Sequence, residues 1–165
     1  MQRNCLRMNN FYNPVQIEFG KGAINFLPRF IKGRKALLLT SQGFIKRGVV
    51  ADIQEKNSEI VDVIYDVKPN PTINQVLELR SKINYEKFDV ILALGGGSVI
   101  DCAKGLGARV VNPDKSIRKM KGLLKVKGPL PPFFAVPTTA GTGSETTVSA
   151  VITDADSHYK FVIND

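Results

Sequence analysis

The stretch Asp89-Val-Ile-Leu-Ala-Leu-Gly-Gly-Gly-Ser98 decides the fold. Phe88 to Leu94 is a compact apolar run, the composition of a strand buried on both faces of a parallel sheet. It runs directly into three consecutive glycines, and Ser98 to Val111 continues with helical spacing. A plain strand-to-helix turn accounts for one glycine; three in a row cost backbone entropy that a turn alone does not require. Without Cβ atoms the backbone can approach a ligand closely. The amides and dipole of the following helix N-terminus favour an anion such as pyrophosphate. Ser98 can donate to a phosphate oxygen or cap the helix. The string is neither the GxGxxG fingerprint nor a Walker loop.

The same alternation extends on both sides. Val15 to Phe19 alternates apolar and polar residues, as a half-buried strand does. Ala23 to Ile31 reads as a short helix interrupted by Pro28. Lys35 to Thr40 is a second apolar strand, Gly43 to Lys56 a helix and Ile60 to Tyr65 a strand. Pro69-Asn70-Pro71 is a loop, after which Thr72 caps a helix reaching Ile83. Phe133 to Val136 is a further strand. Val148 to Thr153 and Tyr159 to Ile163 form a hairpin near the C-terminus. Strands alternating with helices predict an α/β fold, a Rossmann-like parallel sheet with helices on both faces, plus a C-terminal β-hairpin. Ligands of such sheets bind beyond the carboxyl ends of the strands, where the order reverses.

Composition narrows the classes. The 165 residues suit one domain, 1–165, with 43% hydrophobic and 23% charged residues. No apolar run reaches the roughly 20 residues of a membrane span, and Met1 to Asn10 lacks the core of a signal peptide. A cytoplasmic protein is expected. Cys5 and Cys102 are far apart, and with His158 as the lone histidine there are too few donors for a Cys/His zinc cluster. The net charge of +8 draws heavily on Lys115, Arg118, Lys119, Lys121, Lys125 and Lys127. These alternate with Ile117, Met120, Leu123, Leu124 and Val126, as in an exposed amphipathic segment. No aromatic residue is interleaved for base stacking, so nucleic acid is not the expected partner.

A second loop carries chemistry. Val136-Pro-Thr-Thr-Ala-Gly-Thr-Gly-Ser-Glu145 offers four hydroxyls, two glycines and a carboxylate. Such a loop makes a neutral cradle for an anion or a carboxamide. Ser144 or Thr142 could instead cap a helix, with Glu145 at its N-terminus, but capping needs one hydroxyl. Asp101 and Lys104, three residues apart on one helix face, read either as a surface ion pair of small value or as a tie to neighbouring loops on the substrate side.

Gly95-Gly-Gly-Ser-Val-Ile-Asp-Cys-Ala-Lys104 resembles the GGGSxxDxAK motif of iron-containing (group III) alcohol dehydrogenases, and Pro137 to Glu145 resembles their PTTxGTGSE motif. Pro69-Asn70-Pro71-Thr72 and Ala150 to Asp154 followed by Lys160 fit the same pattern in the same order. The resemblance covers nearly the whole chain. It implies the dehydroquinate synthase-like N-terminal domain that binds NAD or NADP. Gly96, Gly97 and Ser98 then hold the pyrophosphate, and Thr138, Thr139 and Thr142 line the cleft. Asn70, Val151 and Lys160 approach the ribose or nicotinamide side, and Asp101 lies near the reacting end. The first buried strand ends in Ser41 rather than an acidic residue, so nothing there repels a 2′-phosphate and NADP is expected to be accepted.

The family's reaction is hydride exchange between a primary alcohol or aldehyde and the nicotinamide, with Fe2+ or Zn2+ acting on the substrate oxygen. Its metal ligands belong to a helical C-terminal domain that is absent here. Metal ligation is therefore assigned to no residue, and the chain is expected to be inactive alone, as a fragment or a truncation. Family members commonly dimerise through the N-terminal sheet edge, which makes Val15 to Phe19 a candidate edge strand and a homodimer or higher oligomer the expected state. Three rivals stand beside this reading: a non-catalytic dinucleotide-binding module, a glycerol dehydrogenase or dehydroquinate synthase relative, and a basic interaction protein. The complete second loop disfavours the glycerol dehydrogenase branch, and the two glycine-hydroxyl loops disfavour a basic interaction protein.

Overall fold

The structure, a computed structural model, describes residues 13–165. Four parallel strands form the central sheet: β1 (Ala36–Leu39), β2 (Ile60–Ile64), β3 (Val90–Gly95) and β5 (Phe133–Pro137), in the order β2-β1-β3-β5. The short two-residue strand β4 (Gly122–Leu123) lies outside it. The chain leaves β1 towards one side to make β2, then crosses back to place β3 on the other side. The order therefore reverses between β1 and β3, and the crevice beyond their carboxyl ends is where a ligand of this architecture sits.

Period-two alternation assigns each strand residue to a face. Ala36, Leu38, Val90, Leu92 and Leu94 pack on one side with Leu27 and Ile31 of α1 (Leu27–Ile31) and Val50 and Ile53 of α3 (Val49–Lys56). Leu37, Leu39, Ile91 and Ala93 pack on the other with α4 (Ile73–Lys82) and α5 (Gly97–Val111). Helix α4 buries Ile73, Val76 and Leu79 along one stripe. Thr72 Oγ1 accepts from the Gln75 amide at 3.1 Å, the predicted cap, worth about 1 kcal/mol. At the reversal point Thr40 is fully buried, and its hydroxyl donates to the Leu94 carbonyl at 2.8 Å, tying the ends of β1 and β3 together.

Strands β6 (Ser149–Asp154) and β7 (Tyr159–Asn164) form the predicted antiparallel hairpin, with His158 in its turn. It is one strand larger than expected, because β4 adds to β7 in parallel. The hairpin packs on α5: Ala150, Ile152, Phe161 and Ile163 enter the same core as Ile100 and Leu106.

Four expectations need correction. Val15 to Phe19 forms no strand; its alternation has no ladder partner, Phe19 is 91% exposed, and the proposed edge-strand route to a dimer loses its strand. Gly43 to Lys56 is not one helix. Helix α2 (Gln42–Lys46) ends before Gly48, whose φ of 76° is left-handed, and α3 begins after it. The 115–127 segment is not simply exposed: Ile117, Met120 and Val126 join the core, while Leu123 and Leu124 face solvent. The 23–31 helix opens as a 3-10 turn over Ala23–Phe26 before α1. Cys5 and the Met1 to Asn10 segment lie outside the described residues.

Candidate functional site

The glycine turn and the hydroxyl loop are built against one another at the carboxyl ends of β3 and β5. These strands are paired in register up to Gly95 and Pro137, and the Thr138 amide then donates to the Gly95 carbonyl at 3.0 Å. A Cβ placed on Gly96 would lie 3.0 Å from Thr139 Oγ1, and one on Gly97 would lie 3.0 Å from Ser144 Oγ and 3.2 Å from Thr142 Cβ. A Cβ there would require these loop side chains to give by a few tenths of an ångström. Gly141 and Gly143 take left-handed φ values of 93° and 64°, which let the loop fold over. No helix follows Ser144, so its hydroxyl and that of Thr142 cap none.

Helix α5 starts at Gly97 with no side-chain cap on its N-terminus. Its fifteen residues give it a full dipole; the Val99 amide turns back to the Gly96 carbonyl at 3.0 Å, which leaves those of Gly97 and Ser98 for a ligand. Ser98 Oγ accepts from the Asn70 amide at 3.1 Å, so its own proton is left to donate. Asn70 holds a left-handed φ of 53°, and its Oδ1 accepts from Lys160 Nζ at 2.8 Å. Thr153 on β6 donates its amide to Pro71 at 2.8 Å, which locks the Asn70 loop to the hairpin.

The structure thus brings together Gly96, Gly97, Ser98, Thr138, Thr139 and Thr142 in one wall and Asn70 with Lys160 in the adjoining one. Ser41 stands apart at the end of β1, bridged to Asp66 at the end of β2. Val151 lies on β6, and Asp101 is buried beneath it. Burial raises the Asp101 carboxyl above the usual range, while the Val151 amide, the charge of Lys104 and the Ser144 hydroxyl oppose the shift. Asp101 is thus a buried group where α5 meets β6, rather than half of a surface pair; no ion pair joins it to Lys104 among the described residues. Cys102, behind it, is a buried free thiol pushed up to about 12 by burial.

Sequence reasoning missed Thr40, Asp66 and the full role of Lys104. Asp66 places a carboxylate one strand from Ser41, but Lys82 holds it at 2.9 Å and also binds Glu78 at 2.6 Å. Lys104 Nζ donates to the carbonyls of Ser144 and Thr147, each at 2.6 Å, and of Ser149 at 3.0 Å. Local spacing signals neither, because every partner comes from another element. A cleft of about 560 Å3 lies behind the loop, lined by Phe133, Ala135, Ala108, Leu130, Val148 and Lys104 among others, and includes none of Gly96, Gly97, Ser98, Thr139 or Thr142. It is mainly apolar, with Lys104, Glu145 and Asp165 also on its lining. Among the described residues no cluster of three or more His, Cys, Asp or Glu side chains could hold a metal ion, and no helix is long and apolar enough to cross a membrane.

Residues 14–165 match the family model for iron-containing alcohol dehydrogenase. The chain belongs to the iron-containing alcohol dehydrogenase family. Within that family it is 39% identical over 154 residues to lactaldehyde reductase of Escherichia coli strain K12, a match covering 89% of this chain and 40% of that protein. A crystal structure of 1,3-propanediol oxidoreductase superposes with a TM-score of 0.83 at 33% identity, over 96% of this chain and 43% of the other. Sulfoacetaldehyde reductase from Bifidobacterium kashiwanohense, crystallised in complex with NAD+, gives the same TM-score of 0.83 at 27% identity, over 96% and 43% of the two chains. The chain therefore spans about two fifths of the length of these family members.

Proposed function

We propose that this chain is the dinucleotide-binding half of an NAD(P)-dependent alcohol dehydrogenase or aldehyde reductase. One observation carries the reading: Gly96 and Gly97 let the hydroxyl loop pack directly against the glycine turn beside the uncapped N-terminus of α5, where a Cβ would lie 3.0 Å from Thr139 Oγ1 or Ser144 Oγ. The pyrophosphate is assigned to Gly96, Gly97 and Ser98, where the amides and the free hydroxyl proton of Ser98 donate to it. Thr138, Thr139 and Thr142 supply hydroxyls in the same wall. Asn70, Lys160 and Val151 sit on the ribose and nicotinamide side, with Asp101 behind them holding the wall in place. A bound nicotinamide would supply the hydride acceptor or donor, and a primary alcohol or aldehyde is the proposed substrate. The described residues offer no ligand set for Fe2+ or Zn2+, so no step at the substrate oxygen is assigned to them.

Ser41 presents a hydroxyl where a carboxylate would repel a 2′-phosphate, and the nearby Asp66 carboxylate is held by Lys82, whose pKa the pairing raises. NADP is therefore proposed to be accepted. Titration of the 165-residue chain with NADH and with NADPH, followed by nicotinamide fluorescence, tests both points. Saturable binding of both, with affinities inside about tenfold, or about 1.4 kcal/mol, is expected. Binding of neither overturns the function; NADH binding more than about tenfold tighter overturns the NADP assignment.

A further inference from the structure

Lys104 is the half-buried charge that the proposed site does not use. It sits on the second turn of α5, facing the back of the hydroxyl loop, and its surroundings are protein carbonyls. Its ammonium donates to Ser144, Thr147 and Ser149 carbonyls at 2.6, 2.6 and 3.0 Å, with Thr147 Oγ1 at 3.4 Å. An ammonium has three N–H donors, and three carbonyls take them. No donor is left for a phosphate, which distinguishes this lysine from one that grips a ligand directly. Burial pulls its pKa down, while Asp101 and Glu145 pull it back up.

The three carbonyls belong to the segment that descends from the loop to β6. Upstream, Ser144 Oγ and Thr142 Cβ lie 3.0 and 3.2 Å from where a Cβ on Gly97 would be. Without Lys104 the three carbonyls would turn from a charged donor to water or to nothing. The segment's other ties lie at single points: the Thr138 amide donates to Gly95 at 3.0 Å, Asn13 Nδ2 donates to the Thr146 carbonyl at 3.3 Å, and the Thr146 amide donates to Gly143 at 3.0 Å within the loop itself. The Val148 side chain is 65% exposed, and its carbonyl accepts from the Asp165 amide at 3.2 Å, at the β6 end of the segment.

We infer that Lys104 is a positioning residue for the dinucleotide: it fixes the 138–149 segment over Gly96 and Gly97 through three main-chain carbonyls and sets cofactor affinity without touching the cofactor. This role rests on the dinucleotide site proposed above. Restraining a loop in its binding conformation raises affinity by removing an ordering cost from the binding step. The charge-assisted character of the three hydrogen bonds makes them the strong kind.

The test is Lys104→Met, which keeps the stem and removes the donors, in the 165-residue chain. Affinity for NADH is read by fluorescence, amide hydrogen exchange by residue, and folding by circular dichroism. The variant is expected to fold, to bind NADH about tenfold more weakly and to exchange faster at residues 144–149 than the parent. Parent-like affinity overturns the role even if the melting temperature falls, since that pattern is purely structural. Weaker binding with unchanged exchange at 144–149 also overturns it, because the lysine would then act on the ligand directly. If Lys104→Met does not fold, Lys104→Arg carries the comparison. A planar guanidinium keeps the charge but cannot meet three carbonyls placed around an ammonium. Its expected affinity is at least about threefold below the parent, and a parent-like value overturns the role. A parent chain that binds neither NADH nor NADPH overturns the dinucleotide site itself, an outcome distinct from those of the variants.

Discussion

Gly97→Val is expected to abolish dinucleotide binding while leaving the chain folded. A Cβ at Gly97 would already lie 3.0 Å from Ser144 Oγ and 3.2 Å from Thr142 Cβ, tighter than nine in ten real Cβ contacts. The two extra methyls of valine have nowhere to go except into the crevice or against the loop. Either way the amides at the start of α5 lose their approach to a phosphate. The expected loss is at least about 100-fold in affinity for NADH, about 2.8 kcal/mol, measured by fluorescence titration. The fold should survive, because Gly97 is only partly buried and the core of α5 lies further along the helix. A Gly97→Val chain that binds NADH as the parent does would remove the glycine turn from the site.

The second large effect is on stability. Ile152→Ala removes a fully buried side chain at the point where β6 crosses α5. Its Cδ1 lies 3.1 Å from where a Cβ on Gly105 would be, so the close approach of helix and hairpin is built around it. A large-to-small change in such a site costs about 2–5 kcal/mol, because the lost burial is joined by a cavity that the surroundings only partly refill. Against a typical stability of about 5–15 kcal/mol this is a large fraction. Urea denaturation would show a lower midpoint. An unchanged midpoint would mean that the hairpin contributes little to the core. A consequence for the site follows, since β6 also carries Val151 and Thr153, the ties to Asp101 and to the Asn70 loop.

Much of this was legible in the residues. Ala36 to Leu39 and Val90 to Leu94 are apolar without interruption because both faces of their sheet are covered; a strand with one wet face would alternate instead. The glycine turn was legible because three glycines need a reason beyond turning. The hydroxyl loop was legible by composition, although only the absence of a helix after Ser144 removes its alternative use as a helix cap.

What the sequence did not reveal depends on contacts between distant segments. Val15 to Phe19 has the alternation of a strand, but alternation does not supply a partner, and without one the backbone forms no ladder. Gly48 sits inside a helical pattern, where its left-handed φ breaks the helix in two. Ile117 and Met120 lie in a basic stretch whose charges suggest exposure, yet the hairpin and α5 cover both apolar side chains. Lys104 looked like half of a surface ion pair with Asp101, three residues away. Its partners in fact lie 40 to 45 residues downstream, a separation that no helical period reports. Thr40 is the same case: a hydroxyl at the end of an apolar strand whose acceptor, Leu94, is 54 residues away.

The claim that the dinucleotide lies on the glycine turn is tested most directly by amide chemical shifts. A nitrogen-15 labelled chain titrated with NAD+ should show its largest perturbations at residues 96–98, 138–142 and 70, with little change around Leu130, Phe133 and Val148. Perturbations centred on the apolar cleft at Leu130, Phe133 and Val148, or none at saturating NAD+, would contradict the account.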